Sequence, residues 1–341
     1  MTSQLSASSG GNTFPKEGFM NLVKRVIMAL GLIGLMAMPA AAADYPAKPV
    51  NMIIAFSAGG SSDVQARIMQ KYWNKYCPEQ GWVFIYKPGA GGMIGFTEIA
   101  RAKADGYTIG GMNVPHIVLQ QLGQKAKFTV DSYKYICQVV NDSQVVAVRK
   151  DSKYKTLKDV FDDAAANPKK IKLGMSGPMS GHHLMFLDVE KKYPNIKFAP
   201  VFYKGAADQN AALLGGEIDV MYGNLNDVTR ALDEMRVLAI AADEENKTFL
   251  PGVPTMKSLG YDIVSDIRRC FAAPKDVDDA KVAKLRAIFK QICEDPEYVA
   301  EMIKAGQPHE YMDGPDFHAW VKTQFTKADT LLNEAGLIKK K

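Results

Sequence analysis

Short apolar segments alternate with amphipathic segments along almost the whole chain, and this order limits the fold to a few architectures. Residues 50–56 and 82–86 are apolar enough to form buried strands, and helical periodicity follows each of them, at 63–76 and 94–103. The same order continues with predicted strands at 108–113, 170–175, 198–203, 218–222 and 236–241, and predicted helices at 158–166, 183–192, 208–214, 280–294 and 317–332. The alternation predicts an α/β fold, with parallel sheets and helices on both faces.

Two lobes without a flexible linker are predicted from the same pattern. A hairpin-like pair of strands at 133–140 and 144–149 interrupts the alternation, and no Pro-rich or low-complexity segment divides the chain. We therefore expect these two segments and residues 262–273 to cross between the lobes. The predicted organisation is an N-terminal extension and signal peptide at 1–43, a discontinuous first lobe at 44–140 and 270–341, and a second lobe at 141–269.

The N-terminal region has the three parts of a secretory signal peptide. Lys24 and Arg25 precede an apolar run at 26–38, and four alanines follow at 40–43. The apolar run is shorter than the roughly 20 residues that span a bilayer. These features predict export to the periplasm with cleavage near Ala43 and Asp44, whether translation starts at Met1 or at Met20.

Composition excludes several classes of function. The net charge of +5 on 341 residues is too small for a nucleic-acid-binding surface. Four cysteines occur at irregular spacing without a Cys-x-x-Cys pair, which argues against a zinc or thioredoxin-like site. In an oxidising compartment the cysteines could form disulfides or remain buried thiols, and the sequence leaves both possibilities open.

Four loops rich in small residues each join a predicted strand to a predicted helix. They are the loops at 57–63, 88–92, 176–181 and 203–206. Each places backbone N–H groups at a helix N-terminus, where the helix dipole also favours negative charge. Ligands of open α/β sheets bind at the carboxyl ends of strands, so two loops from each lobe should face one another across a cleft. Such a cleft suits a small organic acid.

Motifs for catalysis or nucleotide binding are weak. No loop has the spacing of a phosphate-binding P-loop or a dinucleotide fingerprint. The segment GMSGP at 174–178 lacks the final glycine of a nucleophile elbow, although His182 and His183 follow Ser176 closely. A secreted serine hydrolase therefore remains only an alternative, and no cofactor or metal is predicted.

Several segments resemble the tripartite tricarboxylate transporter receptor family, also called Bug proteins. The resemblance extends over essentially the whole mature chain, in order: YPAKPV at 45–50, FSAGGSSD at 56–63, KPGAGG at 87–92, DGYT at 105–108, residues 176–184, YKGA at 203–206, AALLGGEID at 211–219, LPGVPT at 250–255 and AP at 273–274. It implies a type II periplasmic-binding-protein fold, with two α/β lobes around a cleft and a ligand carboxylate held by backbone amides, hydroxyls and water.

The resemblance also implies a set of ligand-binding residues. They are Phe56, Ser57, Gly60, Ser61, Ser62, Asp63, Ala90, Gly91, Gly92, Ser176, Ser180, Tyr203, Lys204, Gly205, Ala206, Asp219 and Asn224. Two positions depart from the family pattern. Tyr86 replaces the usual Asn, and Arg268 replaces a common Trp. A guanidinium at 268 suits a second carboxylate, so Arg268 is added to the predicted site.

Together these features predict a monomeric periplasmic solute-binding receptor rather than an enzyme. It would capture a small organic acid by lobe closure and deliver it to a membrane permease of the tripartite tricarboxylate type. A binding protein that reports its ligand to a two-component sensor is the alternative. Which acid binds does not follow from the sequence.

Overall fold

The computed structural model describes residues 45–334 and 336–338, so the predicted signal peptide lies outside the described residues. Most predicted elements are present, with ends displaced by a few residues. Within the described part, no helix combines the length and the apolar character of a membrane span.

The first sheet begins with three parallel strands. They are β1 (Val50–Ile54), β2 (Trp82–Tyr86) and β3 (Thr108–Val114), with β1 in the middle. Helix α1 (Ser61–Tyr76) connects β1 to β2, helix α2 (Met93–Arg101) connects β2 to β3, and α3 (His116–Gly123) follows β3. The predicted βαβ order of this region is confirmed, whereas α3 was not predicted.

Strand β4 (Tyr133–Arg149) joins the two sheets as one continuous strand of 17 residues. The prediction of a hairpin here was wrong. The polar segment at 141–143 looks like a turn, but it stays extended because its residues pair with β9 (Asp266–Pro274). Residues before Gln144 belong to the first sheet, and Gln144 and those after it pair with β7 and β8 of the second sheet.

The second sheet repeats the alternating order. Its elements are α4 (Leu157–Ala166), β5 (Lys172–Met175), α5 (Gly181–Lys192), β6 (Ala199–Phe202), α6 (Ala206–Leu214), β7 (Val220–Asn224), α7 (Leu225–Val228) and β8 (Met235–Ile240). Strands β5, β6 and β7 are parallel, but β4 is antiparallel to β7 and to β8. In the first sheet, β9 is likewise antiparallel to β3 and β4. The expectation of purely parallel sheets was therefore wrong, because the strands that cross between the sheets run against their neighbours.

The C-terminal part of the chain returns to the first sheet. After β9 come α8 (Asp279–Glu294), α9 (Pro296–Lys304), β10 (His309–Asp313) and α10 (Gly314–Glu334), and β10 pairs with the first half of β4. Helix α9 and strand β10 were not predicted. The segment at 262–273 does cross between the two cores, since Ile263 packs in the second and Cys270 in the first.

The four cysteines are free thiols in this structure, and Cys137, Cys270 and Cys293 are buried.

Candidate ligand-binding site

The four small-residue loops meet at the junction of the two sheets. Gly60 is the N-cap of α1 and Gly205 the N-cap of α6, and neither supplies a side-chain cap. The first N–H groups of these helices therefore have no partner within the helix. A Cβ placed on Gly205 would lie 3.0 Å from the backbone nitrogen of Ser57, so the first and fourth loops are in close contact.

The second and third loops are in contact as well. Gly91 has a left-handed backbone (φ +65°), and a Cβ there would lie 2.6 Å from the carbonyl oxygen of Pro178. Gly177 is also left-handed (φ +81°), and its Cβ would lie 2.6 Å from the Cα of Gly91. Only glycine permits this approach at either position. Two loops from each sheet thus face one another, as predicted.

Side chains also connect the two sides. The Ser57 hydroxyl donates to the Asp208 carboxylate at 2.6 Å, and the Ser61 hydroxyl donates to Asp227. Arg230 donates from Nη1 to the carbonyl oxygen of Gly59 at 3.2 Å. Each contact joins the first loop to the opposite side, so the loops are held together by polar groups and not by backbone proximity alone.

A small, partly open cavity lies between these loops. It is lined by Phe56, Gly60, Ser61, Ser62, Asn113, His116, Ser176, Ala206, Asn224, Ile267 and Arg269. Its walls therefore combine a glycine and small side chains at helix N-termini with amide, hydroxyl, imidazole and guanidinium groups. Among the described residues, no group of three or more His, Cys, Asp or Glu side chains could hold a metal ion.

A chain of hydrogen bonds runs along one wall of this cavity. Ser176 Oγ lies 2.8 Å from His182 Nδ1, and His182 Nε2 lies 2.9 Å from Asn224 Oδ1. Asn224 in turn donates from Nδ2 to Asp227 Oδ2 at 2.8 Å. The Asp227 carboxylate fixes the orientation of the Asn224 amide, which then presents its oxygen to His182. His182 consequently carries its proton on Nε2, and Nδ1 is the acceptor for Ser176.

Burial keeps His182 neutral. Desolvation lowers the pKa of His182 to about 4; the hydrogen bond to Asn224 and the charge of Asp227 oppose this shift, whereas Arg269 adds to it. The nearby His116 is also fully enclosed, and desolvation, with smaller contributions from His182 and Arg269, lowers its pKa well below the usual range. The His116 imidazole in the cavity wall and the His182 imidazole behind it are therefore uncharged at neutral pH.

The lowered pKa of His182 makes folding sensitive to acid. The unfolded chain binds a proton to this histidine below about pH 6.5 and the folded chain only near pH 4, so stability is lost as pH falls through this window. Asp142, whose pKa is raised to about 7, instead stabilises the folded chain as pH falls. The contribution of His182 must therefore be measured as a difference between the wild type and a variant that lacks this histidine. On going from pH 7 to pH 4, the wild type should lose about 3 kcal/mol more unfolding free energy than His182→Gln.

Urea unfolding at both pH values would measure this difference. The partly exposed His318, which contacts Asp131, provides the control His318→Gln. Equal acid sensitivity of His182→Gln and the wild type would contradict the assignment of a neutral, buried His182.

Arg269 forms another wall of the cavity and is 1% exposed. Its Nη1 lies 2.7 Å from Asp142 Oδ2, and Asp142 is itself fully buried in β4. Desolvation raises the pKa of Asp142 to about 7; the charge of Arg269 opposes the rise, and the charge of Asp227 adds to it. A buried guanidinium and a carboxyl group with a raised pKa thus lie together beside the cavity.

Comparison with known proteins identifies the family. The model of the tripartite tricarboxylate transporter family receptor matches residues 66–337. The chain belongs to this family. A UPF0065 protein from the gbd 5′ region of Cupriavidus necator is 29% identical over 321 residues, which cover 92% of this chain and 96% of that protein.

Solved structures agree with this assignment. The periplasmic binding protein BugD is 27% identical and superimposes with a TM-score of 0.80, covering 87% of this chain and all of BugD. An R. palustris protein solved with adipate shares the fold, with a TM-score of 0.79 and 21% identity over 86% of this chain and 99% of that one. The two-lobed periplasmic-binding-protein fold predicted from the sequence is confirmed.

The structure places seven of the family-implied residues around the cavity. They are Phe56, Gly60, Ser61, Ser62, Ser176, Ala206 and Asn224. Of the others, Gly91 and Gly205 form the loop contacts described above, Gly92 is buried beside Gly91 and caps α2, and Ala90 and Lys204 are exposed. Tyr203 is half-buried against the core of the second sheet.

Several predicted residues have other partners. Ser57 bonds to Asp208, and Ser180 caps helix α5 by accepting from the backbone N–H of His183. Asp63 accepts from the Gly59 N–H and from the Tyr86 hydroxyl, each at 2.7 Å, so the unusual Tyr86 holds this carboxylate within its own lobe.

Asp219 and Arg268 lie away from the cavity. Asp219 precedes β7, at the opposite end from Asn224, and accepts from the backbone N–H of Lys172. Arg268 stacks over the Trp320 ring at 4.3 Å and donates to Glu310 and Gln138 at 3.2 Å. The next residue, Arg269, faces the cavity instead, because successive side chains of a strand point to opposite faces.

Proposed function

We propose that this receptor binds a small organic acid in the cavity between its lobes, closes around it, and delivers it to a tripartite tricarboxylate-type permease. The proposal rests on one observation: two helix N-termini without side-chain caps, at Gly60 and Gly205, face one another at a cavity. Such termini offer N–H groups and positive dipole ends that stabilise a carboxylate.

The charges around the cavity also favour an anion. Arg269 is the cationic side chain of the lining, and the His116 imidazole in the same wall is neutral. The Asp227 carboxylate behind this wall is already engaged by Ser61 and Asn224. A bound carboxylate would therefore meet donors and no unpaired acid.

Closure would bend the molecule at the strands that connect the sheets. We propose that 44–140 and 270–341 form one lobe and 141–269 the other. The change of partners in β4 between Ser143 and Gln144, three residues after the first of these boundaries, supports a crossing in this region. The Ser57–Asp208, Ser61–Asp227 and Arg230–Gly59 contacts would form on closing and break on opening.

A thermal-shift panel tests the binding proposal. Small dicarboxylates and aromatic carboxylates, with adipate among them, should raise the melting temperature, whereas their diamides and diesters should not. A ligand present at about 100 times its dissociation constant adds roughly 2.7 kcal/mol to stability. A broad carboxylate panel without any shift would remove the main support for this function.

A hydrolase is the second candidate, because Ser176, His182 and Asn224 are connected like a nucleophile, a base and an orienting group. Against it, a histidine with a pKa of about 4 is a weak base at neutral pH. Nitrophenyl ester assays distinguish the two. Hydrolysis by the wild type that is lost in Ser176→Ala would favour the enzyme, and unchanged background hydrolysis would favour the receptor.

Export is proposed from the N-terminal sequence, which lies outside the described residues. The apolar run and the alanines at 40–43 predict that the mature protein begins at or next to Asp44. N-terminal sequencing of the periplasmic fraction should find this terminus. An intact Met1 or Met20 in that fraction would contradict cleavage.

A further inference from the structure

Arg269 is a buried cation whose hydrogen-bonding capacity is mostly unused. It lies in β9 opposite Asn113 of β3, lines the cavity and is 1% exposed. None of its three guanidinium nitrogens has a hydrogen-bond partner of good geometry among the described residues. A guanidinium carries five N–H donors, and buried donors without hydrogen-bond partners destabilise the folded chain.

Asp142 cannot satisfy this group by itself. A single carboxylate oxygen, Oδ2, approaches Nη1 at 2.7 Å, which is an ion-pair contact without a well-directed hydrogen bond. The other oxygen of Asp142 accepts from the backbone N–H of Asn226 at 3.3 Å, so it is committed to the second sheet. The rest of the guanidinium fork remains available to a group in the cavity.

Two neighbouring polar atoms are also without partners. Asn113 Oδ1 and His116 Nδ1 are buried and unbonded among the described residues, and both side chains line the same cavity. Asn113, His116 and Arg269 come from the end of β3, the start of α3 and β9, so they form a wall distinct from the four loops. An occupant of the cavity would meet the loop N–H groups on one side and this wall on the other.

We infer that Arg269 binds a second carboxylate of the ligand, so that the receptor selects dicarboxylates over monocarboxylates of the same shape. This inference rests on the proposed function, because it assumes that the loops hold the first carboxylate. The planar fork of arginine matches a carboxylate in a bidentate arrangement, which lysine cannot reproduce. The Asn113 amide nitrogen can add a donor to the same group.

Half-amides provide matched probes for this selection. Succinate, glutarate and adipate are each compared with succinamate, glutaramate and adipamate by isothermal titration, because each pair differs by one charge at nearly constant shape. The wild type should bind at least one dicarboxylate about tenfold or more tightly than its half-amide. Arg269→Gln should bring that ratio close to one, and Arg269→Lys should give an intermediate ratio.

Arg268→Gln is the matched control, since it removes the adjacent guanidinium, which contacts Glu310 and Trp320 outside the cavity. It should retain the wild-type ratio. Where Arg269→Gln does not fold, as shown by circular dichroism, the ratio is measured in Asp142→Asn/Arg269→Gln, which removes both charges of the pair and should also approach one.

The outcomes separate the two proposals. If the wild type bound none of the six compounds and no other carboxylate, the proposed function would be contradicted, and this inference with it. Equal wild-type affinity for a dicarboxylate and its half-amide, or an undiminished ratio in Arg269→Gln, would overturn the role of Arg269 and leave the receptor function intact. If the preference for a dicarboxylate over its half-amide were lost in Arg268→Gln and kept in Arg269→Gln, Arg268 and not Arg269 would be the residue that selects dicarboxylates.

Discussion

Gly91→Leu should abolish carboxylate binding by keeping the second and third loops apart. The Cβ of any side chain at Gly91 would lie 2.6 Å from the Pro178 carbonyl oxygen and 3.2 Å from Gln120 Nε2. Neither the backbone oxygen nor the opposing Gly177 can yield without separating the loops. The apparent affinity falls with the fraction of molecules able to close, so we expect a loss of roughly 100-fold or more.

Titration with the tightest carboxylate of the wild-type panel measures this loss. Small-angle scattering adds a second test, because the ligand should reduce the radius of gyration of the wild type and leave that of the variant unchanged. Gly252→Leu is the matched control. Its backbone is equally left-handed (φ +77°), but a Cβ there has no neighbour within 4 Å. Wild-type affinity in Gly91→Leu would show that close approach of these loops is not needed for binding.

The fold could be predicted well because periodicity reports which faces of each element are buried. The alternation of strands and helices placed β1, α1, β2 and the elements of the second sheet other than α7 within a few residues. The failure at β4 has a physical cause. The polar residues at 141–143 are typical of turns, but pairing with β9 keeps them extended, and such long-range pairing is invisible in a local window.

The candidate site could be predicted where it depends on glycine-rich loops and not where it depends on the direction of one side chain. The loop residues around Gly60 and Ser176 were found from their small side chains after a strand. Asn113 follows the same rule, since it lies near the carboxyl end of β3, and applying the rule to that strand would have found it. His116 carried no comparable signal.

The choice between Arg268 and Arg269 was not decidable from the sequence. Two adjacent arginines on a strand point to opposite faces, so an error of one residue in the register exchanges their roles. In the structure the partners settle the matter, because Arg268 contacts Glu310 of β10 and Trp320 of α10, whereas Arg269 contacts Asp142 of β4. Those partners lie far away in the chain.

The pair of Arg269 and Asp142 lies in the first sheet, is hydrogen-bonded to the start of α7 through Asp142, and should contribute strongly to stability. Arg269 belongs to the first sheet, and Asp142 accepts from the Asn226 N–H at the beginning of α7 on the other side. Asp142→Ala leaves the guanidinium buried without a counter-charge and the Asn226 N–H without its acceptor. Removing one partner of a buried ion pair usually costs about 3–5 kcal/mol, and we expect a loss in this range at pH 8.

Urea unfolding of Asp142→Ala, Arg269→Met and the double variant separates the charge effect from the lost contacts. The double variant places an apolar side chain of similar length at 269 and leaves no unpaired charge, so it should regain most of the stability that Asp142→Ala loses. The surface pair Lys158–Asp162 offers the control, because its side chains are exposed and Asp162→Ala should cost less than about 1 kcal/mol. If the double variant were as unstable as Asp142→Ala, the loss would come from packing around Asp142. A coupling energy of several kcal/mol between the two substitutions would establish instead that the buried charge of Arg269 depends on Asp142 when no ligand is bound.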